Sequence, residues 1–342
     1  MAEEDTRSSH ACDEKHGSDT VKRSSIALSS LIVMGGFVAS KAIGVVRQSI
    51  IARSFGTGQQ LDAYYAAFKL PDLLLTVIAG GAVATTFIPL FAEHLAAGDR
   101  HRAWRLASVV LNVLLAAMSV VALIAALLAP WLVRTLIAPG FDAASQALTA
   151  VLLRIVLLSS LLFTASSLVM SVLQAHQRFL WPALADFFYD VGIIGGALVL
   201  VPRFGIRGLA WGVVAGAGLH LFIQVPGLIR VRARYAPTLR AGDRSLWRLL
   251  RLMGPRILIL GKFQLVLLFT NNLASRLPEG CIAAKNVGCI VMLMPEVILA
   301  WRSPSPPFPP SRSSLPKASA AAWAKRHRTC CRPYCSPPCP PL

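Results

Sequence analysis

The sequence predicts an all-α, polytopic membrane protein, and three observations carry that prediction. Hydrophobic residues make up 55% of the 342 residues and charged residues only 15%, with a mean hydropathy of +0.60. Nearly uncharged stretches of about 20 residues recur, the length at which a helix crosses the hydrocarbon core of a bilayer. Short arginine-rich connections separate them, and the period-two alternation of a transmembrane barrel is absent.

Residues 1–24 are polar and rich in acidic side chains. They are predicted to form a disordered cytoplasmic tail rather than a cleaved signal, because no short basic region leads directly into a short apolar core. Apolar runs then predict helices near 26–52, 66–92, 105–129, 147–173, 181–201, 207–229, 250–275 and 282–300. Pro71, Pro89, Pro182 and Pro255 fall within or at the edges of these spans, where neighbouring helices can satisfy the freed backbone groups. Glycines crowd the first, second, fifth and sixth spans, which permits close packing.

After Ala300 the character changes. Trp301–Leu342 holds 11 of the 22 prolines, four of the seven cysteines, seven basic residues and no acidic one. Proline at that density cannot continue a helix. Cys330, Cys331, Cys335 and Cys339 lack the paired Cys-x₂-Cys spacing of a zinc ribbon or finger, so no metal site is predicted. The segment reads as a disordered tail or as an out-of-frame or truncated carboxyl terminus, since the change falls inside what should be an ordinary span. Cys12, Cys281 and Cys289 form no motif and imply no disulfide.

The formal charge of +18 follows the positive-inside pattern. With a cytoplasmic amino terminus, that side receives Arg7, Lys15, Lys22, Arg23, Arg100, Arg102, Arg105, Arg178, Arg230, Arg232, Arg234, Arg240, Arg244, Arg248 and Arg251. The other side receives Arg134, Arg203, Arg207 and Arg276, with Arg53 at the border of the first span. Charges distributed between apolar spans do not make a nucleic-acid patch, so no nucleic-acid partner is predicted. There is no phosphate-binding loop and no nucleophile–base arrangement, so neither a hydrolytic motor nor an enzyme is predicted, and no cofactor.

The first span reads Gly35-Gly-Phe-Val-Ala-Ser40-Lys41-Ala-Ile-Gly44-Val-Val-Arg47-Gln48, followed by Ala52-Arg53-Ser-Phe-Gly56-Thr-Gly58. Then come Leu61-Asp62-Ala63-Tyr-Tyr-Ala66-Ala-Phe68-Lys69-Leu70-Pro71-Asp72, Ala79-Gly-Gly81-Ala82 and Phe87-Ile-Pro89. These segments closely resemble the amino-terminal signature of the MurJ/MviN family of lipid II flippases, within the multidrug/oligosaccharidyl-lipid/polysaccharide exporter group. Ala175-His-Gln-Arg178-Phe179, Gly205-Ile206-Arg-Gly208-Leu209-Ala210-Trp211-Gly212 and Leu277-Pro-Glu-Gly280 agree with it.

The resemblance implies about fourteen helices in two lobes of six plus two, alternating a central cavity between the two membrane faces. It places the first lobe at 25–231, a basic cytoplasmic linker at 232–249 and about two helices of the second lobe at 250–300. The implied substrate is lipid II or a similar polyprenyl-diphosphate saccharide, and membrane lipids are the other partner. The implied location is the bacterial cytoplasmic membrane. A chain with only part of the second lobe is expected not to transport. Two alternatives remain: an exporter of another lipid-linked saccharide or drug, and a nontransporting scaffold or remnant.

Ser40, Lys41 and Arg47 share a sector of the first helix with Gly44 and Gln48. An ionised group inside a span is costly unless it meets water or a partner. The diphosphate of lipid II supplies a reason for cations there: Arg offers a planar fork of donors and Lys a mobile point charge. The resemblance carries a cavity Arg to Arg47 and another to the position of Lys41, while Gln48 replaces the acidic residue usual after Arg47. Leu75 and Gly80 stand where relatives often carry Arg and Glu, and Ile290 where they carry a cavity Arg.

Asp62 and Lys69 match the family pattern. Asp62 is expected either to orient the arginines during gating or to cap the second helix, and Lys69 either to join the cavity or to snorkel to the interface. Asp186 and Asp190, one turn apart in the fifth span, are expected to neutralise Arg47 or Lys41, to couple movement to an ion, or to serve as structural hydrogen-bonding groups. His220 sits where a Gln is common and is expected to hydrogen-bond its neighbours.

Overall fold

A computed structural model describes residues 42–56, 58–79, 81–233 and 244–300. The helices in order are α1 (42–55), α2 (Gln59–Ile78), α3 (Gly81–Ala96), α4 (Arg100–Leu127), α5 (Ala129–Leu132), a π-helical turn (Val133–Ile137) and α6 (Ala143–Ala175). They continue with α7 (Leu180–Val199), α8 (Val201–Phe204), α9 (Ile206–Phe222), α10 (Val225–Arg230), α11 (Arg244–Ala274) and α12 (Cys281–Ala300). Among the described residues, five stretches are long and apolar enough to cross a membrane: Arg100–Leu127, Ala143–Ala175, Leu180–Val199, Ile206–Arg230 and Arg251–Ala274. The chain is therefore an all-α, multi-pass membrane protein.

The second expected span is not one helix. The run 66–92 breaks between Ile78 and Gly81, giving α2 and α3. Ala79 leaves helical geometry at φ −121° and ψ 1° and ends α2. The stretch 207–229 is likewise interrupted, with Pro226 opening the short α10. Residues 1–41 and 301–342, which contain Ser40, Lys41 and the cysteine-rich tail, lie outside the described residues.

The chain divides into two compact units, residues 1–287 and 288–342. The described part of the second consists of the later turns of α12, with Met292 exposed. In the first, successive long helices run up and down, so their ends collect at two poles. The pole of Trp104 gathers Arg100, Arg102, Arg105, Arg178, Arg230 and Arg232, and the pole of Asp62 gathers Arg53, Arg134, Arg203, Arg207 and Arg276.

Helix ends at both poles are closed by side chains. Asp99 accepts from the Arg102 N–H at 3.0 Å to start α4, and Asp142 accepts from Ala144 and Ser145 N–H at 3.3 and 3.4 Å to start α6.

The core lies between α2, α6, α7 and α9, with Leu61, Leu152, Leu153 and Leu209 fully buried. A second cluster of Phe87, Phe91, Trp104 and Val172 fills the other pole. Helices α7 and α9 touch through glycine. A Cβ on Gly196 would stand 2.3 Å from Gly212 Cα, and one on Gly192 2.4 Å from Gly216 Cα. Small residues let membrane helices gain packing that lipid, as apolar as leucine, does not otherwise drive. The outward faces carry Leu123, Leu127, Leu198, Phe222, Phe263 and Phe269, all exposed in the manner of lipid-facing side chains.

Candidate functional site

The polar groups of α2 form one stripe. Asp62, Tyr65, Lys69, Asp72 and Thr76 recur at intervals of three and four and so share a face. This face meets α1, α11 and the start of α12. Gln48 of α1 donates its amide to the Tyr65 hydroxyl. Gln264 of α11 donates to Thr76 Oγ1 at 3.0 Å. Half-buried Lys69 precedes Asp72 by three residues, and its ammonium acts electrostatically on the Asp72 carboxylate.

Asp62 does not cap its own helix, the structural alternative that the sequence offered. Helix α2 is preceded by Gly58 and has no side-chain cap. Its carboxylate, 2% exposed, accepts from the backbone N–H of Gly280 and of Ala283, both at 2.7 Å. It caps α12 from 218 residues away. The positive φ of Gly280 (87°) turns these amides toward the oxygens, and the positive end of the helix dipole favours the anion. Nothing in local spacing reveals such a partner.

Arg47 lies on α1 opposite α7. Its guanidinium pairs with Asp190 Oδ1 at 2.5 Å, with side-chain exposures of 25% and 10%, and stands 6.0 Å from the centre of the Tyr189 ring. Gly44, one turn earlier, lies against the same carboxylate: a Cβ there would sit in ordinary contact, 3.4 Å from Asp190 Oδ2. The charge partner missing at Gln48 is thus supplied from another helix. Asp186, one turn before Asp190, points elsewhere. Its Oδ1 lies 3.3 Å from His220 Nε2, and His220 Nδ1 lies 2.6 Å from Ser166 Oγ.

Gln224 completes that cluster with bonds to Ser166 Oγ at 2.7 Å and to the His220 carbonyl at 2.9 Å. The sequence reading missed Ser166 and Gln224, although polar residues flanked by apolar runs were the available signal. Among the described residues, no group of three or more His, Cys, Asp or Glu is placed to hold a metal ion.

The pole of Asp62 is tied across several elements. Asn271 and Asn272 of α11 donate to the carbonyls of Ile137 and Leu136 at 3.1 and 2.7 Å, closing the end of the π-helical turn. The Gly140 N–H donates to Ser275 Oγ at 3.2 Å, and Gln59 donates to Asp142 Oδ1 at 2.6 Å. At the other pole the packing is aromatic: Phe91 and Trp104 flank His176, and Arg230 lies 5.4 Å from the Trp181 ring centre.

A family model described as lipid II flippase MurJ matches residues 51–309. The lipid II flippase MurJ of Burkholderia cenocepacia is 29% identical over 279 residues, covering 79% of this chain and 54% of that protein. The probable lipid II flippase MurJ of Rhizobium tropici is 30% identical over 269 residues, covering 74% and 49%. The chain thus spans about half the length of the curated relatives it matches.

A solved lipid II flippase MurJ in an inward closed conformation superposes with a TM-score of 0.68 at 23% identity, covering 78% of this chain and 56% of that one. An inward-facing multidrug resistance MATE family transporter of the MOP superfamily gives 0.63 at 17% identity, covering 75% and 59%, and these likenesses show a shared fold. The family match extends over most of the chain, and on that ground the chain belongs to the lipid II flippase MurJ family.

Proposed function

We propose that this chain supplies the first six-helix lobe, and the opening helices of the second, of an alternating-access flippase. Its cargo is lipid II, the undecaprenyl-linked peptidoglycan precursor, or a saccharide on a similar polyprenyl diphosphate. The membrane is the bacterial cytoplasmic membrane, with the amino terminus and the pole of Trp104 on the cytoplasmic side. The bias of basic residues between the spans of the full sequence, fifteen on the amino-terminal side against five on the other, supports that orientation.

One observation carries the reading: a guanidinium held by a carboxylate between two helices of a membrane bundle. A diphosphate offers Arg47 the same paired oxygens as Asp190, with more charge, and so competes for it. Lys69 adds cationic field from α2, and Ser40 and Lys41 are the proposed companions of Arg47 on the first helix. Alone, the chain offers about half the length over which its relatives extend, and it is proposed to insert without flipping.

The test uses a full-length transporter carrying this sequence through Ala300. Removing the cation facing a desolvated phosphate costs about 2–4 kcal/mol, so Arg47→Ala should weaken lipid II binding about 30- to 900-fold at unchanged abundance. Arg47→Lys should recover part of it, returning charge without planar donors. Asp190→Asn removes the competitor and should leave binding intact or tighter. Equal binding by the Arg47→Ala protein, or parallel losses in the Arg47 and Asp190 variants, would reduce the pair to structural glue.

A further inference from the structure

We propose that Arg154, with the end of α4 and Trp131, forms a binding site for the phosphate of an anionic glycerophospholipid on the lipid-facing side of the first lobe. The site originates in a proline. In a continuous helix the Ala126 carbonyl would accept from the N–H of residue 130, but Pro130 has none. Helix α4 ends at Leu127, and Arg154 of the neighbouring α6 supplies the missing donor, its Nε–H reaching the Ala126 carbonyl at 3.0 Å.

That bond uses one of the five N–H groups of a guanidinium. The four on Nη1 and Nη2 form the edge that matches two phosphate oxygens. Arg154 is exposed, and among the described residues it has no carboxylate partner. The protein thus fixes one edge of the group and presents the other.

Depth selects the anion. Ala126 lies 21 residues beyond Arg105, the last arginine of the opposite pole on α4, a rise of about 32 Å along a helix. The hydrocarbon core is about 30 Å thick, so Arg154 sits where acyl chains give way to headgroups. Trp131, 60% exposed and just beyond, stands at the level of an aromatic belt. One turn toward the membrane centre, Leu123 of α4 and Leu158 of α6 are 62% and 44% exposed and offer acyl chains an apolar wall. A cation on such a surface is costly until an anion meets it, and the anion at that depth is the lipid phosphate. Phosphatidylglycerol brings an uncompensated charge, whereas the choline of phosphatidylcholine offsets its own phosphate, so the anionic lipid is the preferred occupant.

The site goes beyond the flippase reading and shares no residue with the Arg47–Asp190 pair, so either can fail alone. The test uses the purified 342-residue chain. In native mass spectrometry, Arg154→Gln should bind added phosphatidylglycerol about fivefold more weakly than the unchanged chain, with phosphatidylcholine binding equal in both. Arg276→Gln removes an exposed arginine from the loop after α11 and should bind phosphatidylglycerol as the unchanged chain does. In phosphatidylcholine nanodiscs, phosphatidylglycerol brominated on its acyl chains should quench Trp131 more than brominated phosphatidylcholine at the same mole fraction. The Trp131 signal is read as the difference from Trp131→Phe.

Equal phosphatidylglycerol affinity in Arg154→Gln, or an equal loss in Arg276→Gln, overturns the site. Should Arg154→Gln fail to fold, quenching in the unchanged chain decides, and equal quenching by the two lipids overturns the proposal. Release of bound phosphatidylglycerol by millimolar inorganic phosphate would make the ligand a soluble anion and overturn it too.

Discussion

Asp62→Ala is the sharpest perturbation of the lobe's connection to α12. The wild-type carboxylate is buried and holds two backbone N–H groups at 2.7 Å. Net, a hydrogen bond to a charged group contributes about 1.5–3 kcal/mol, and loss of a helix cap about 0.5–2 kcal/mol. These figures describe overlapping contacts and do not add. Truncation also leaves two amides of the first turn of α12 without acceptors in a site that excludes water, so about 2–3 kcal/mol is the expected local loss.

Hydrogen exchange reads that loss directly. Exchange at Gly280 and Ala283 proceeds through local opening, and 2–3 kcal/mol should accelerate it about 30- to 150-fold. Asp62→Asn keeps one acceptor oxygen but turns an NH₂ toward the second amide, so it should recover only part of the protection. The reasoning is refuted if the peptide around these residues exchanges equally in wild type and Asp62→Ala while both proteins melt alike.

Three further outcomes are expected. Gly196→Ala should destabilise the α7–α9 contact by about 1–3 kcal/mol because its Cβ meets backbone, whereas Gly195→Ala, with nothing within 4 Å, should be silent in the same thermal melts. Asp142 is held below the usual carboxylate range by the Ser145 hydroxyl first, then by the N–H groups of Ser145 and Ala144. Its stabilisation should therefore be complete above the unfolded value of about 3.9 and lost as pH falls through the lower folded value. Melting of Asp142→Asn across acid pH should be flatter, and an unchanged acid limb would remove the cap from the account. Cysteines introduced at 94–104 or 174–180 should resist an impermeant external reagent in intact cells while one near Phe141 reacts, and the reverse pattern would invert the topology.

The long helices were legible because bilayer thickness sets a minimum length on apolar runs, and α4, α6, α7 and α11 cover nearly all of the expected spans and, except for α7, extend beyond that minimum. Arg47 was legible as a costly charge needing a partner, and so was the family to which its flanking residues point. The identity of the partner was not, because spacing describes one helix and Asp190 lies 143 residues away. Asp62 misled for the same reason: a carboxylate near a helix start reads as its cap, yet it serves another helix. The stripe from Asp62 to Thr76 was available in the helical period but was divided by an expected span beginning at residue 66. The π-helical turn had only Pro130 as a local hint, and its geometry depends on the side chains of α11 that answer its carbonyls.

Those last bonds have a consequence for α11. Adjacent residues on a helix point about 100° apart, and Asn271 and Asn272 are each fastened to successive carbonyls. A slip of one residue would break both attachments together, so the helix is clocked about its own axis. Gln264 and Ser275, seven residues before and four after Asn271, lie on that clocked face and find Thr76 and Gly140. Phe263, Val266, Phe269 and Leu273 are thereby left facing outward. Where solvent and core are equally oily, hydrophobicity supplies no preferred rotation, and a few amides and hydroxyls decide which side of this helix is the inside.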